Sequence, residues 1–171
     1  FLLVENSLNA LQKLAKHHRN QFILPVIGIT GSNGKTTIKE WLGELLAPHT
    51  SVCKNPKSYN SKLGVPLSLL QLNKNHQLGI FETGISKPGE MKLLADLIQA
   101  EFSIFTNLGA AHDEGFTSRA EKLEEKMHLL KNSNTIFLLE NDDSITTAIL
   151  EACGDKKLIK LGQSKDAFLR T

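Results

Sequence analysis

The chain has 171 residues, enough for one α/β domain with a sizeable core and too few for a large multidomain enzyme. Its 20 basic and 18 acidic residues give a net charge of +2, so charge offers no case for binding nucleic acid or a membrane surface. No apolar run approaches the roughly 20 residues of a membrane span. Cys53 and Cys153 form neither a C-x-x-C pair nor a disulfide framework, and we expect reduced thiols in a cytoplasmic protein.

Apolar residues at helical spacing after Asn6 or Ser7 predict a first helix, which ends in the polar run 16–21. Residues 1–21 are interpreted as a connecting helix that leads into a domain covering 22–171. In that domain strands and helices alternate. Strands are predicted at 22–30, 50–54, 78–81, 102–106, 135–139 and 157–161, and helices at 36–46, 66–72, 91–99, 118–131 and 142–153. The alternation predicts an α/β fold with three layers, a mostly parallel sheet with helices on both faces.

A glycine turn after the first strand has the composition of a phosphate site. Glycines let the backbone bend and present N–H groups to an anion, and the following helix adds its positive N-terminal end. Lys35 can bind the outer phosphates of a nucleotide, and the Thr36 hydroxyl can ligate Mg²⁺. The spacing G-x-x-G-K-T is shorter than the standard P-loop, and a simple strand-to-helix turn with an exposed lysine is the alternative. The candidate nucleotide-binding residues are Gly31, Ser32, Asn33, Gly34, Lys35, Thr36 and Thr37.

Three further polar residues follow predicted strands, where ligands bind in a parallel sheet. Glu82 ends the strand at 78–81 and is a candidate Mg²⁺ ligand, although a solvated strand-end carboxylate is an equal alternative. Asn107 follows the strand at 102–106. His112 lies in the glycine-containing loop after it, where a histidine bonded to Asp113 or Glu114 is the alternative.

Lys126 falls inside the apolar arc of the predicted helix 118–131. At 100° per residue it lies between Leu129 on one side and Leu130, followed by Leu123, on the other. Such a lysine is commonly a stem at the helix edge with its amine in water. The functional alternative is a desolvated amine with a lowered pKa, able to react in its neutral form.

Four sequence blocks together resemble the central ATP-binding domain of the Mur ligases, the amide-forming enzymes of peptidoglycan precursor synthesis. The blocks are GITGSNGKTT at 28–37, YNSKLGVPL at 59–67, ETG at 82–84 with PGEM at 88–91, and the stretch from Thr106 through His112 to Phe116. The Asn-Asp-Asp at 141–143 resembles a further block. This family also has the shortened glycine loop, so the resemblance implies a P-loop NTPase-like fold.

Within the family, the chain is most similar to the MurF group, including the MurF part of bifunctional MurF–alanine racemase proteins. The resemblance implies a ligase that joins D-alanyl-D-alanine to UDP-MurNAc-tripeptide through an acyl phosphate, with ATP and Mg²⁺. It implies that Lys35 holds phosphates and that Thr36 and Glu82 hold one Mg²⁺. Asn60, Ser61 and Asn107 become candidate substrate residues. Many MurF sequences have a second asparagine where this chain has Ser61.

The resemblance assigns a second Mg²⁺ to His112 and to Lys126, 14 residues later, if that lysine is carbamylated by CO₂. It also implies an N-terminal UDP-sugar domain and a C-terminal domain outside this chain, and a central domain that continues past Thr171. A fragment of this kind is expected to bind nucleotide weakly without ligating. The alternatives are another ligase of the superfamily, such as folylpolyglutamate synthase, and a P-loop module that binds nucleotide without ligation.

Overall fold

The computed structural model describes residues 3–109, 115–139, 143–162 and 168–170. The helices are α1 Ser7–Arg19, α2 Lys35–Leu46, α3 Gly64–Leu69, α4 Glu90–Ile98, α5 Arg119–Lys131 and α6 Asp143–Ala152. The strands are β1 Val26–Thr30, β2 Val52–Lys54, β3 Leu78–Glu82, β4 Phe102–Phe105, β5 Thr135–Leu139, β6 Lys157–Gly162 and β7 Leu169–Arg170.

The seven strands form one sheet in the order β2-β3-β1-β4-β5-β6-β7, and every neighbouring pair is parallel. β1 therefore lies between β3 and β4, with Ile29 in register with Glu82 on one side and with Ile104 on the other. This register brings the carboxyl ends of the three strands to one place, which is where a parallel sheet of this kind binds ligands.

The fold has three layers, because apolar side chains on both faces of the sheet pack against helices. Ile29, Ile80 and Ile104 point to one face, where they pack against α2. The opposite face is covered by the remaining described helices, through one cluster that joins α1, α3 and α4 and another that joins α5 and α6. The predicted three-layer α/β fold with helices on both faces is thus confirmed.

The element bounds differ from the sequence predictions mainly at the ends. β1 begins at Val26 rather than at 22, and α3 spans Gly64–Leu69, so that Pro66 lies in its first turn, where no N–H is needed. β5 coincides with its prediction, while the two-residue β7 was not predicted. Of the helices in the described residues, none is long and apolar enough to cross a membrane.

The first helix packs against the body of the fold. α1 begins after Asn6, whose side-chain oxygen accepts the Asn9 N–H at 2.9 Å. It lies against α3 and α4, with Ala15 fully buried. At its end the buried Arg19 donates to the carbonyls of Phe22 and Ile98 at 2.8 and 3.0 Å. These contacts tie α1 to the end of the sheet opposite the strand-end residues.

Candidate nucleotide and metal site

The glycine loop at the end of β1 uses its two outer glycines for different reasons. Gly31 has a φ of +136°, and a Cβ there would lie only 1.9 Å from Thr106 Oγ1. Gly34 has a φ of +78° and precedes α2, but a Cβ there would meet nothing within 4 Å. Gly31 is needed for space as well as for backbone conformation, and Gly34 for conformation alone.

Asn107 holds the middle of the loop. Its carbonyl accepts the Ser32 N–H at 2.8 Å and its side-chain oxygen accepts the Asn33 N–H at 3.1 Å. Two of the sequence-predicted phosphate donors are therefore already bonded within the protein. The first helical bond of α2 runs from Ile38 N–H to the Gly34 carbonyl, so the N–H groups of residues 35–37 precede the helical ladder and face out of its N-terminus.

Lys35 is buried and folded back over the loop. Its ammonium donates to the carbonyls of Gly31 and Ser32, both at 3.0 Å. Burial lowers the pKa of Lys35, the charge of Glu82 acts in the opposite direction, and the charge of Lys122 lowers it further. The amine lies at the mouth of the loop, so that binding an outer phosphate requires it to exchange carbonyl oxygens for phosphate oxygens.

Thr36 and Glu82 meet at the end of β3, as the order of the strands requires. The Thr36 hydroxyl donates to Glu82 Oε2 at 2.7 Å, and the Asn60 amide donates to Oε1 at 2.6 Å. Glu82 is 1% exposed, so it is not a solvated strand-end carboxylate. Gly84 makes room for Asn60, because a Cβ at Gly84 would lie 2.9 Å from the Asn60 amide.

Lys126 reaches the glycine loop from α5. It is 3% exposed, and its amine donates to the Gly31 carbonyl at 2.9 Å, so it is not a stem at the helix edge. Burial, followed by the charges of Lys35 and Lys122, lowers the pKa of Lys126 to about 7. Near neutral pH a substantial fraction of this amine is therefore unprotonated.

The other sequence-predicted residues have different placements. Ser61 accepts the N–H groups of Leu63 and Gly64 just before and at the start of α3, while Thr37 is exposed on the first turn of α2. His112 and the block residues Asn141 and Asp142 lie outside the described residues.

Sequence reasoning missed three residues near Glu82 and the loop. Lys39 is fully buried on α2, one turn after Thr36, and that spacing was the available signal. Asn55 is fully buried and binds both the N–H and the carbonyl of Glu82, at 2.9 and 2.8 Å. Lys122, one turn before Lys126, donates to the Gly109 carbonyl at 2.6 Å. Asn55 and Glu82 are 27 residues apart in the sequence, so no local pattern predicts the bonds between them.

The donor set fits a hard cation that also binds phosphate. Among the residues that the structure describes, no group of three or more His, Cys, Asp and Glu side chains could hold a metal by itself. Mg²⁺ commonly takes one or two protein oxygens and completes its shell with water and substrate phosphates. The Thr36 hydroxyl and the Glu82 carboxylate, placed beside the N-terminus of α2, match that requirement.

Comparison with known proteins gives one consistent family. The model of the Mur ligase middle domain matches residues 29–171. A UDP-N-acetylmuramoyl-tripeptide–D-alanyl-D-alanine ligase of Synechocystis sp. is 34% identical over 162 residues, which cover 94% of this chain and 36% of that ligase.

Solved structures agree with the sequence comparison. A MurF crystal structure from Acinetobacter baumannii superposes with a TM-score of 0.89 at 30% identity, covering 95% of this chain and 37% of that one. The MurF ligase of Thermotoga maritima in complex with ADP gives a TM-score of 0.83 at 33% identity, covering 95% and 38%. The chain thus spans little more than a third of the length of the relatives it matches.

Proposed function

The chain belongs to the Mur ligase family, and on that premise we propose that it supplies the ATP and Mg²⁺ site of a ligase that joins D-alanyl-D-alanine to UDP-MurNAc-tripeptide. The observation that carries the proposal is the Thr36–Glu82 pair, at 2.7 Å, beside the glycine loop and the N-terminus of α2. A phosphate-binding loop alone is common to many NTPases. A buried carboxylate bonded to the loop threonine adds a metal-binding side to it.

In the proposed complex the phosphates of ATP lie against the start of α2. The N–H groups of residues 35–37 and the positive helix end bind the β- and γ-phosphates. Lys35 turns from the Gly31 and Ser32 carbonyls to the outer phosphate oxygens. Asn107 keeps Ser32 and Asn33 in place, so in this proposal it shapes the loop rather than contacting substrate.

Thr36 and Glu82 would hold Mg²⁺, which neutralises phosphate charge during transfer of the γ-phosphoryl group. Asn60 orients the carboxylate through its bond to Oε1. A second ion would be held by His112 together with Lys126 in carbamylated form. The lowered pKa of Lys126 supports this, because only the neutral amine adds to CO₂.

The reaction that this arrangement would support has two steps. An oxygen of the substrate's terminal carboxylate attacks the γ-phosphorus, and the bond to the ADP oxygen breaks. The dipeptide amine then attacks the acyl carbon, loses a proton, and phosphate leaves with its electron pair. Both steps concentrate negative charge and need cations and N–H donors more than a protein nucleophile. Lys35 and the α2 N-terminus supply these in the chain.

The remaining assignments belong to the same proposal. Residues 1–21 would connect to an N-terminal domain that binds the UDP-sugar, and residues 22–171 would be the central domain, followed by a C-terminal domain. Asn60 and Ser61 lie in the loop before α3 that would face the peptide substrate. We place the reaction in the cytoplasm, where ATP is supplied, and the two described cysteines are free and buried.

The test is a phosphate-release assay on the full-length protein with purified substrates. Release is expected to require ATP, Mg²⁺, UDP-MurNAc-tripeptide and D-alanyl-D-alanine together. Release that requires a folate and glutamate instead would indicate folylpolyglutamate synthase. Nucleotide binding with no ligation of any substrate pair would indicate a non-ligating module.

A variant pair ties the activity to the proposed metal site. Glu82→Gln is expected to lower kcat/KM by more than about 100-fold and to raise the Mg²⁺ concentration needed for half-maximal rate, because an amide is a poor ligand for a hard cation. Glu101→Gln, an exposed change just before β4, is the control and should have no effect. Equal activity of the Glu82 variant and the control would reject the assignment.

A further inference from the structure

Lys39 is a fully buried lysine outside the set of residues so far given a role. It lies on α2, three residues after Thr36 and four after Lys35, and so faces the same side of the helix. Its relative exposure is 0%. Burying an ammonium group is costly unless hydrogen bonds and opposite charges compensate it, so its surroundings should show what it holds.

The partners of Lys39 are mainly backbone carbonyls of one loop. Its amine donates to the Asn55 carbonyl at 2.8 Å and to the Lys57 carbonyl. Glu40 lies 3.0 Å away and the Glu82 carboxylate 3.9 Å away. Lys57 has a φ of +49°, a left-handed conformation that is unfavourable for a lysine. The ammonium therefore fixes a strained turn between β2 and α3.

That turn carries both side chains that position Glu82. Asn55 binds the Glu82 N–H and carbonyl and also the Tyr59 carbonyl, at 2.8 Å. Asn60 binds Glu82 Oε1, and its own carbonyl accepts the Gly84 N–H at 2.9 Å. The loop thus encloses Glu82 from the backbone to the carboxylate, while Lys39 holds the loop from the other side.

We propose that Lys39 is a positioning residue of this site, which holds the 55–60 loop so that Asn55 and Asn60 keep the Glu82 carboxylate against Thr36. The hydrogen bonds of Lys39 go to the loop carbonyls, and its contact with Glu82 is longer, at 3.9 Å, so its effect on the carboxylate passes mainly through the loop. The expected effect on ligase kinetics rests on the proposed function, whereas the expected effect on the position of Glu82 does not.

Arg19 provides a matched control for a purely stabilising role. It too is a buried cation on a helix, and it donates to the carbonyls of Phe22, Ile98 and Gln99. Those carbonyls lie at the opposite end of the sheet from Glu82. Replacing either cation with methionine leaves backbone carbonyls without a buried donor, so both changes should lower stability.

The experiment is a double-mutant cycle in the full-length protein, with Lys39→Met, Arg19→Met and Asn60→Ala alone and each cation variant combined with Asn60→Ala. Ligase kcat/KM, the Mg²⁺ dependence and the unfolding temperature are measured for each. Alone, Asn60→Ala is expected to cost more than about tenfold in kcat/KM, but less than about threefold once Lys39 is already replaced, because the loop has lost its hold on Glu82. Combined with Arg19→Met, its effect should multiply in full.

If the effect of Asn60→Ala on kcat/KM also multiplies in full with that of Lys39→Met, the proposal is overturned. If Lys39→Met does not fold, Lys39→Gln, which keeps an N–H donor but loses the charge, enters the same cycle with the same two outcomes.

Amide hydrogen exchange tests the positioning without ligation. Lys39→Met is expected to speed exchange of the Glu82 and Gly84 N–H groups more than about tenfold relative to Arg19→Met of similar unfolding temperature. Equal exchange in the two variants would reject the inference. Absence of ligase activity in the wild-type protein would reject the proposed function instead, and the exchange result would still decide the role of Lys39.

Discussion

Gly31 and Gly34 are the two positions of positive φ in the glycine loop, and the structure gives each a different reason for glycine. Alanine at Gly31 faces both a φ of +136° and the Thr106 hydroxyl at 1.9 Å, whereas alanine at Gly34 faces only a φ of +78° in open space. Backbone strain alone costs roughly 1–2 kcal/mol for a non-glycine residue. A clash with a buried neighbour adds to it, because the packed interior relaxes only partly.

We therefore expect Gly34→Ala to lower the free energy of unfolding by about 1 kcal/mol and Gly31→Ala to lower it by more than about 3 kcal/mol. Urea denaturation of the two variants measures both values under one condition. Equal destabilisation would show that Thr106 moves aside freely, in which case space would not be the reason for glycine at position 31.

The buried amine of Lys126 should make stability depend on pH. Its pKa is about 7 in the folded protein, lowered chiefly by burial, against 10.5 for an ordinary lysine. Between these values the unfolded chain binds more protons than the folded one, so stability rises with pH. Below about pH 7 both states are protonated, and the full cost of the buried charge is present.

Lys126→Met removes that cost. The variant is expected to be more stable than the wild type by at least about 1 kcal/mol at pH 6, with the advantage shrinking from pH 7 towards pH 10. The Gly31 carbonyl keeps the Lys35 amine as a donor, so the change leaves no unpaired acceptor there. Urea denaturation in CO₂-free buffer across this range is the measurement. A stability difference that does not vary with pH would contradict the expectation.

At the scale of elements, α5 brings two buried lysines to the site, its fourth and eighth residues, Lys122 and Lys126. Ser118 caps it by accepting the Glu121 N–H at 3.1 Å, and the Glu121 carboxylate returns to the Thr117 N–H. This is close to a capping box, which the Ser-x-x-Glu spacing encodes locally. Because Lys122 and Lys126 lie in the turns that follow, the cap also fixes where they reach the loop.

Ser118→Ala is expected to cost about 1 kcal/mol of stability, the usual effect of a lost N-cap. Asn6→Ala, which removes the cap of α1, should cost a similar amount. The two should differ in function, since only the first changes the helix that carries Lys126. We expect weaker Mg²⁺·ADP binding, measured by calorimetry, in the Ser118 variant alone. Equal affinities of the Ser118 and Asn6 variants for Mg²⁺·ADP would show that the α5 cap does not affect nucleotide binding.

The sequence pattern predicts the elements well where periodicity and turn chemistry are local. β5 and the start of α5 follow from a β-branched and aromatic run and from Ser118. The same patterns place the Gly31–Thr36 loop and Glu82 at strand ends. Partners that depend on distant chain segments are harder to predict. The Asn60 amide donates to Glu82, 22 residues away in the sequence, and the Asn107 side chain accepts the Asn33 N–H, 74 residues away. Both side chains therefore bind other residues of the protein.

On the scale of the whole molecule, the described residues would form one wall of the proposed reaction site. Lys35, Glu82 and Lys126 are buried, but Asn33, Gly34 and Thr37 are exposed, so the phosphate side is open to water. An acyl phosphate is cleaved by water, and ligases of this chemistry depend on excluding it. The described residues can therefore offer binding groups for a nucleotide, but by themselves they do not enclose the intermediate that the proposed ligation needs.

The 171-residue chain is accordingly expected to bind Mg²⁺·ADP measurably, to lose this binding in Thr36→Val, and to form no ligated product. The full-length protein, assayed in parallel with the same substrates, should form product. Thr37→Val, at an exposed position on the same helical turn, is the matched control and should retain at least part of the binding, because its hydroxyl does not bond to Glu82. Product formation by the chain alone at a rate within about tenfold of the full-length enzyme would mean that water exclusion contributes little, since closure of a ligase site is otherwise required to protect the intermediate.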